Sequence, residues 1–336
     1  MAKKTKQDSE DNPKKVSMHT LKLDAAQAEK LKSILIQKGW VSAVVEHAAF
    51  AYKGPSCNVV HYKSGKCVIS GKGTEEFVKF TLESEVTGQA LLGYDEELNP
   101  EWFEEHAGLD ESGKGDLFGP VVSACVIATG EMTRQWIKAG IKDSKKLTDS
   151  KIAELEKVIR ETPGVAVKTT FARMSKYNEL HSRFGKNLNR LLGWMHATSC
   201  EEALKDYELI HGHRPTWGLL DQFSEEPIVQ NELERKKVVF DLRMRTKAES
   251  DPVVAAASII ARATFVRELD RLSADGGVKL PNGSGAEAKE AAIELVGRLG
   301  PAILVNFAKL HFKTAYEARG LEPPAPKPFK GRKKAD

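Results

Sequence analysis

The stretch from Gly108 to Pro120, GLDESGKGDLFGP, limits how this chain can fold more than any other segment. It places two adjacent acids, Asp110 and Glu111, before closely spaced glycines, and an apolar run follows at Val121–Ala128. Successive side chains of a strand point to opposite faces, so two adjacent acids can serve one site only where the backbone bends or through one backbone carbonyl. The glycines supply that bend, and the apolar run predicts a buried strand after it.

The same glycines bear on ligand binding. Gly113-Lys114-Gly115 leaves backbone N–H groups unshielded beside a cation, an arrangement that suits a phosphate oxygen or a sugar hydroxyl. Acids beside a phosphate cradle imply a metal ion between them. For Asp110 and Glu111 taken alone, a polar turn with surface acids is the alternative interpretation.

Further acids stand at the ends of predicted elements. Asp221 ends the apolar run Trp217–Leu220, where a carboxylate is costly unless a cation or a hydrogen-bond donor awaits it. A helix or turn cap is the alternative for this residue. Glu249 and Asp251 precede Pro252 and an alanine-rich helix that can pack closely on a sheet. Capping is the stronger interpretation for Asp251 than for Glu249.

Apolar periodicity divides the chain into a small and a large domain. The small domain is expected to be an α+β module with an antiparallel sheet, and the large one a mixed sheet flanked by helices, with Val238–Phe240 as one of its strands. The expected ranges are a disordered arm at 1–18, the small domain at 19–86, a linker at 87–105, the large domain at 106–318 and a basic flexible tail at 319–336.

Composition excludes some classes of protein. No apolar run approaches the roughly 20 residues that span a bilayer, and the N-terminus is charged, so neither a membrane nor a secreted protein is expected. The net charge of +4 is concentrated in the two ends, so affinity for a polyanion must come from local patches. No cysteine pair suggests a zinc site or a disulfide framework, which favours a reducing, cytoplasmic compartment. The cysteines are Cys57, Cys67, Cys125 and Cys200.

Several motifs occur in an order that resembles the type 2 ribonucleases H, and specifically the ribonuclease HIII group with its extra N-terminal domain. They span nearly all of residues 107–312 and are Asp110–Asp116 with Phe118-Gly119-Pro120, Asp143–Leu147, Asn187–Leu192 with Trp194–Ala197, Asp221-Gln222-Phe223, and Lys247-Ala248-Glu249 with Ala255–Arg262. The N-terminal stretches Tyr62–Lys66 and Gly71–Phe77 also resemble that group's TATA-binding-protein-like domain.

The resemblance implies a ribonuclease H-like fold and a set of carboxylates that hold two Mg²⁺ ions, with Mn²⁺ as an alternative ion. Carried onto this sequence, these metal-binding and catalytic residues are Asp110, Glu111, Asp221 and Glu249. The implied activity is endonucleolytic hydrolysis of the RNA strand of RNA/DNA hybrids, leaving 5′-phosphate and 3′-hydroxyl ends. Two departures leave Asp251 as an alternative fourth ligand: the ribonuclease HII enzymes carry Asp where this chain has Glu249, and the stretch to Ser258 is about one residue short.

The resemblance also implies residues that contact the substrate. These are Ser112, Gly113, Lys114, Gly115, Lys145, Asn187 and Asn189, although helix capping is an alternative for the two asparagines. Lys114 stands where the ribonuclease HII enzymes carry an arginine that recognises an RNA–DNA junction. Two other functions stay open: incision at single ribonucleotides in DNA, and hybrid binding without catalysis. We expect a monomer with no obligate protein partner.

The small domain is predicted to bind the substrate through one face of its sheet. Lysines neutralise phosphates, and aromatic side chains can stack on sugars or exposed bases. The alternative is that the aromatics fill the core of the small domain. The residues assigned to the binding face are Lys53, Lys63, Lys66 and Lys72 with Phe50, Tyr52 and Tyr62.

Overall fold

The computed structural model describes residues 18–88 and 95–324. The chain divides into two compact units, Met1–Glu101 and Trp102–Asp336. Most of the predicted arm, part of the predicted linker and most of the predicted tail lie outside the described residues, and the domain boundaries stay predictions. None of the helices within the described ranges is long and apolar enough to cross a membrane.

The first unit is a five-stranded antiparallel sheet with helices on one face. Its sheet order is β1-β5-β4-β3-β2. The elements are β1 Met18–Lys22, α1 Ala25–Gln37, β2 Val41–Ser42, β3 Ala48–Lys53, β4 Asn58–Tyr62, β5 Lys66–Ser70, α2 Thr74–Phe77 with its π-helical continuation Val78–Thr87, and α3 Asp95–Leu98.

The core of this unit takes up two aromatics that we predicted on the binding face. Tyr52 is only 9% exposed, and both Tyr52 and Phe50 pack among the buried side chains under the helices. Register explains the error, since Tyr52 pairs with the fully buried Val59. Only Tyr62 alternates onto the other face, so the prediction was wrong for Phe50 and Tyr52.

The second unit is built on a mixed five-stranded sheet of order β10-β9-β6-β7-β8. The central strand β6 is antiparallel to β7 and parallel to β9. The strands are β6 His106–Ser112, β7 Val122–Ala128, β8 Ala166–Phe171, β9 Trp217–Asp221 and β10 Asp241–Arg245. The helices are α4 Gly130–Ala139, α5 Asp149–Glu161, α6 Met174–Arg183, α7 Leu188–His211, α8 Ile228–Arg235, α9 Pro252–Gly276, α10 Ala286–Leu299 and α11 Lys313–Ala318.

The helices α7 and α9 cover opposite faces of this sheet. Alternate residues of β7 divide between two clusters, with Ala124 and Val126 packing beside α9 residues and Cys125 and Ile127 packing beside α7 residues. Helix α9 approaches so closely that a Cβ at Gly108 would lie 2.4 Å from the α9 backbone. This close approach places α9 directly along β6, the strand that carries the acidic pair.

The predicted strand at Val238–Phe240 was wrong, because the strand begins at Asp241. Val239 is 96% exposed, while Val238 and Phe240 pack partly against the cluster beside α7. The true strand β10 lies at the edge of the sheet and alternates charged with apolar residues. An edge strand of this kind carries too few apolar residues to stand out in sequence.

Candidate active site

Two carboxylates meet at the end of the central strands of the second unit. In the parallel pair β6 and β9, Leu109 pairs with Leu220, so Asp110 and Asp221 are the next residues on neighbouring strands. Both line a cleft of about 430 Å³. Its lining includes most of the predicted site: Asp110, Glu111, Ser112, Gly113, Lys114, Gly115, Lys145 and Asp221.

Asp110 and Glu111 reach this cleft from opposite faces of the sheet. Asp110 faces α9, where the hydroxyl of Ser258 donates a hydrogen bond to it, and its Oδ1 accepts the N–H of Glu111 at 2.7 Å. Ser258 is in turn 2.6 Å from Ser144 Oγ. Glu111 faces α7. The strand alternation that would keep the two acids apart is therefore present, and the cleft at the end of the sheet is open to both.

Glu111 is held by a buried histidine to which the sequence motifs assign no role. His196 Nε2 donates to Glu111 Oε2 at 3.1 Å, and His196 Nδ1 lies 2.8 Å from Ser123 Oγ. Ser123 Oγ is also 3.0 Å from Ser199 Oγ. Burial raises the pKa of Glu111, but the hydrogen bond from His196 and the charges of His196 and Lys114 outweigh burial and lower it. The sequence signal that could have identified His196 is the presence of polar residues, His196 and Ser199, on the buried face of α7.

Burial is the main influence on the other two carboxylates, and repulsion from neighbouring acids adds to it. Burial, followed by the charge of Glu111, raises the pKa of Asp110 well above its usual range. Burial also raises the pKa of Asp221; a backbone N–H opposes this effect, and the adjacent Glu249 adds to it. Acids that gain protons for these reasons are those that a divalent cation would stabilise in the ionised form.

The structure separates Glu249 from Asp251. Glu249 lies in a short 3₁₀ turn beside Asp221 and is half-buried. Asp251 is fully buried, caps α9 through the N–H of Val253 at 2.8 Å, and lies 3.2 Å from His106 Nε2. His106 is four residues before Asp110 on the same strand, about 13 Å away at 3.3 Å per residue.

The two glycines around Lys114 differ in what requires them. Gly113 has a φ of +87°, and a Cβ there would lie 2.2 Å from Pro120 O, so the fold itself demands glycine. A Cβ at Gly115 would meet nothing within 4 Å. The fold therefore gives no reason for the bare backbone of Gly115, which leaves room for a ligand. Lys114 Nζ lies 3.7 Å from Glu111 Oε1 and 5.3 Å from the centroid of the Phe223 ring.

The remaining predicted contacts divide between the cleft and its surroundings. Lys145 is exposed in the cleft, and Asp143 Oδ1 accepts its backbone N–H at 3.0 Å. Asn187 caps α7 by accepting the N–H of Arg190 at 3.2 Å. Neither Asn187 nor Asn189 lines the cleft, so their contact with substrate stays a prediction.

The donor set fits a hard divalent cation, since it consists of carboxylate oxygens. Among residues 18–88 and 95–324, however, no three acids, histidines or cysteines converge as a ready ligand cluster. Hydrogen bonds that turn the three carboxylates in different directions explain why they do not converge. Asp110 turns towards a backbone N–H, Glu111 towards His196, and Asp221 Oδ1 towards Ala248 N at 2.9 Å. A bound cation would have to draw these carboxylates together against their repulsion.

The chain is similar in sequence to known ribonucleases H. The Ribonuclease HII family profile matches residues 107–315. Ribonuclease HIII of Chlamydia caviae is 37% identical over 292 residues, covering 85% of this chain and 92% of that protein. Ribonuclease HIII of Protochlamydia amoebophila is 36% identical and covers 87% and 93%.

A solved structure extends the similarity to the fold. Bst-RNase HIII in complex with Mn²⁺ superposes with a TM-score of 0.62 at 28% identity, covering 90% of this chain and 98% of that one. The expected ribonuclease H-like sheet flanked by helices is thereby confirmed. The chain therefore belongs to the ribonuclease HII family and, within it, to the ribonuclease HIII group.

Proposed function

We propose that this ribonuclease H is an endonuclease that hydrolyses the RNA strand of RNA/DNA hybrids and leaves 5′-phosphate and 3′-hydroxyl ends. The observation that carries the proposal is the position of Asp110 and Asp221, which directly follow the paired Leu109 and Leu220 and line one cleft with the loop of Gly113–Gly115. Charged oxygen ligands and a phosphate-binding loop in one cleft suit hydrolysis of a phosphodiester.

The proposed metal ligands are Asp110, Glu111, Asp221 and Glu249. Two Mg²⁺ or Mn²⁺ ions held there would supply activation of the attacking water and stabilisation of the leaving 3′ oxygen. The Mn²⁺ bound by the structurally similar Bst-RNase HIII supports a divalent ion. Glu249 is preferred over Asp251 because it lies against Asp221, whereas Asp251 is engaged by the α9 N-terminus and His106.

The chain's own residues would position the nucleic acid. Lys114 extends from the loop as a cation beside Glu111. A phosphate oxygen of the substrate would replace Glu111 as the ion-pair partner of Lys114. The open backbone at Gly115 and the side chain of Ser112 can hydrogen-bond a phosphate or the 2′-hydroxyl, the group that distinguishes RNA from DNA. Lys145 offers a further cation across the cleft.

The small unit is proposed as a substrate-binding domain that uses the face of its sheet opposite the helices. Exposed lysines lie on this face near Tyr62, including Lys22 and its direct partner Lys66 on the neighbouring strand. Two adjacent cations repel each other in the free protein, and a phosphate backbone would relieve this repulsion. Such a surface fits binding of a hybrid through its phosphates, independent of its base sequence.

The test is cleavage by the full chain of two substrates, a uniform RNA/DNA hybrid and a DNA duplex that holds one ribonucleotide, each with Mg²⁺ or Mn²⁺. We expect cleavage of the uniform hybrid, with Asp221→Asn inactive yet still able to bind it, because this substitution removes a metal ligand and leaves the phosphate contacts. Preference for the single ribonucleotide would establish the other specificity, and binding without cleavage would leave only a binding function.

We also propose a cytoplasmic location and a monomeric state. The described cysteines are all buried and unbridged, as a reducing compartment favours. Sedimentation analysis of the full chain would test the monomer and the expected independence from a protein partner.

A further inference from the structure

A buried lysine outside the cleft holds residues 116–119, the segment that follows the loop of Gly113–Gly115. Lys309 is fully buried, and its Nζ donates to the carbonyl oxygens of Asp116 at 2.8 Å, of Phe118 at 3.5 Å and of Gly119. The same Nζ lies 5.7 Å from the centroid of the Tyr177 ring. An ammonium group has three N–H donors, so three carbonyl groups satisfy it completely.

Backbone contacts join the same two segments. Lys309 N donates to Leu117 O at 2.9 Å, and Gly119 N donates to Phe307 O at 3.2 Å. Asp116 N in turn closes a turn onto Gly113 O at 3.4 Å. The loop that presents Lys114 and Gly115 is therefore fixed at one end by β6 and at the other by the segment that Lys309 clamps.

The chemistry of the clamp is unusual for a part that serves only packing. Burial lowers the pKa of Lys309 to about 7, and the charge of Asp116 opposes this only in part, so the ammonium form is costly here even with its hydrogen bonds made. An apolar side chain of similar volume commonly stabilises such a position as well or better. An apolar side chain could not hold the carbonyl groups of Asp116, Phe118 and Gly119 in a fixed arrangement, whereas the Lys309 amine does so by donating a hydrogen bond to each. Rigid support of this kind matters where a loop must present groups to a ligand within a fraction of an ångström.

We propose that Lys309 is a positioning residue for substrate binding, whose buried amine fixes residues 116–119 through hydrogen bonds and through them the placement of Lys114 and Gly115 against the nucleic acid. The proposal rests on the proposed function for the identity of the ligand. Lys309 itself does not line the cleft, so it acts through the loop.

The test compares Lys309→Met with Asn178→Ala in the full chain. Asn178 holds the segment that carries Lys309 without a hydrogen bond to residues 116–119: its Nδ2 donates to Val305 O and Ala308 O at 3.0 Å each, and its Oδ1 accepts Leu310 N at 3.0 Å. Both variants should lower the melting temperature. Only Lys309→Met should raise KM for the hybrid, by about tenfold or more with a smaller change in kcat, because it misplaces the loop.

A double-mutant cycle with Lys114→Ala supplies a readout that a structural role would not move. If Lys309 acts through the loop, the effects of the two substitutions on KM are non-additive. Lys309→Gln, which keeps two N–H donors, should fall between the wild type and Lys309→Met and serves if the methionine variant does not fold. An equal rise in KM for Asn178→Ala, or an additive cycle, would overturn the proposal.

Binding of the hybrid without a metal ion separates this proposal from the proposed function. If the wild type binds the hybrid but does not cleave it once Mg²⁺ or Mn²⁺ is added, the catalytic proposal fails, while weaker metal-free binding by Lys309→Met still supports the clamp. If the wild type cleaves and Lys309→Met binds and cleaves with an unchanged KM, the clamp is excluded and the catalytic proposal stands.

Discussion

His196 and Glu111 are 85 residues apart in sequence, and a hydrogen bond of 3.1 Å joins His196 Nε2 to Glu111 Oε2. Glu111 faces α7 because strand alternation turns it away from the α9 side that Asp110 occupies. On the α7 side Glu111 contacts His196, whose other ring nitrogen, Nδ1, is held by Ser123, the direct cross-strand partner of Glu111. The orientation of one proposed metal ligand is thus determined by two buried polar side chains.

Replacing His196 with alanine should lower kcat/KM by about 10- to 100-fold, the usual effect of losing a group that orients a metal ligand. His196→Gln should recover part of the activity, because its amide can donate to the same carboxylate. Steady-state kinetics and the Mg²⁺ concentration for half-maximal rate are the measurements. Thr198→Val is the matched control on the same helix, since the Thr198 hydroxyl donates to Trp194 O of that helix at 2.7 Å. Equal losses for both variants at equal melting temperatures would argue against orientation of Glu111.

Glu249→Gln and Asp251→Asn should affect different properties. Glu249→Gln should lower kcat by about 100-fold or more with little change in melting temperature, as expected for loss of transition-state charge stabilisation. Asp251→Asn keeps a capping oxygen and should stay active, whereas Asp251→Ala should lose about 1–3 kcal/mol of stability, since it leaves buried donors unpaired. An inactive but stable Asp251→Asn beside an active Glu249→Gln would reverse the ligand assignment.

Hybrid binding should depend on the open sheet face of the small unit. Lys22→Gln with Lys66→Gln should weaken binding and reduce the slope of log K against log salt by about 0.9 or less for each phosphate that a lysine no longer neutralises. Fluorescence anisotropy over a salt series measures this slope. Lys30→Gln, an exposed position on α1 at the opposite face, is the control. Identical slopes for the double variant, Lys30→Gln and the wild type would assign the small unit another role.

Acid should destabilise the second unit through His311. Burial, then the charges of His181 and Lys309, lower the pKa of His311 from 6.5 to about 4, and the two histidine rings stack at 4.3 Å. Between these values the unfolded chain binds a proton that the folded chain does not, so stability falls as the pH drops from 6.5 towards 4.

His311→Phe should therefore show a smaller fall in melting temperature between pH 6.5 and pH 4.5 than the wild type, as followed by circular dichroism. Nδ1 of His311 is buried without a hydrogen-bond partner among the described residues, so a phenylalanine ring can take its place. His47→Gln, at an exposed position, is the control. Parallel pH profiles for all three proteins would show that His311 does not contribute.

Patterns within a few residues were sufficient to predict much of the fold. The acidic pair before a glycine bend, the buried strand behind it and the alanine-rich helix after Pro252 depend on neighbours in the chain, and each was found where expected. Asp221 at a strand end is of the same kind. Local predictions failed where burial depended on a distant partner: Tyr52 turned inward because it pairs with Val59, and β10 lacked an apolar run because it lies at a sheet edge.

The site itself was decided by tertiary structure. Asp110 and Asp221 become neighbours only because β6 and β9 are parallel and in that register, and our proposal of Glu249 rather than Asp251 rests on the contacts of Asp251 with His106 and α9. The clamp by Lys309 joins residues about 190 positions apart. Sequence periodicity records which side chains are buried, whereas register and helix packing determine which buried groups meet, and these follow from the shape of the whole core.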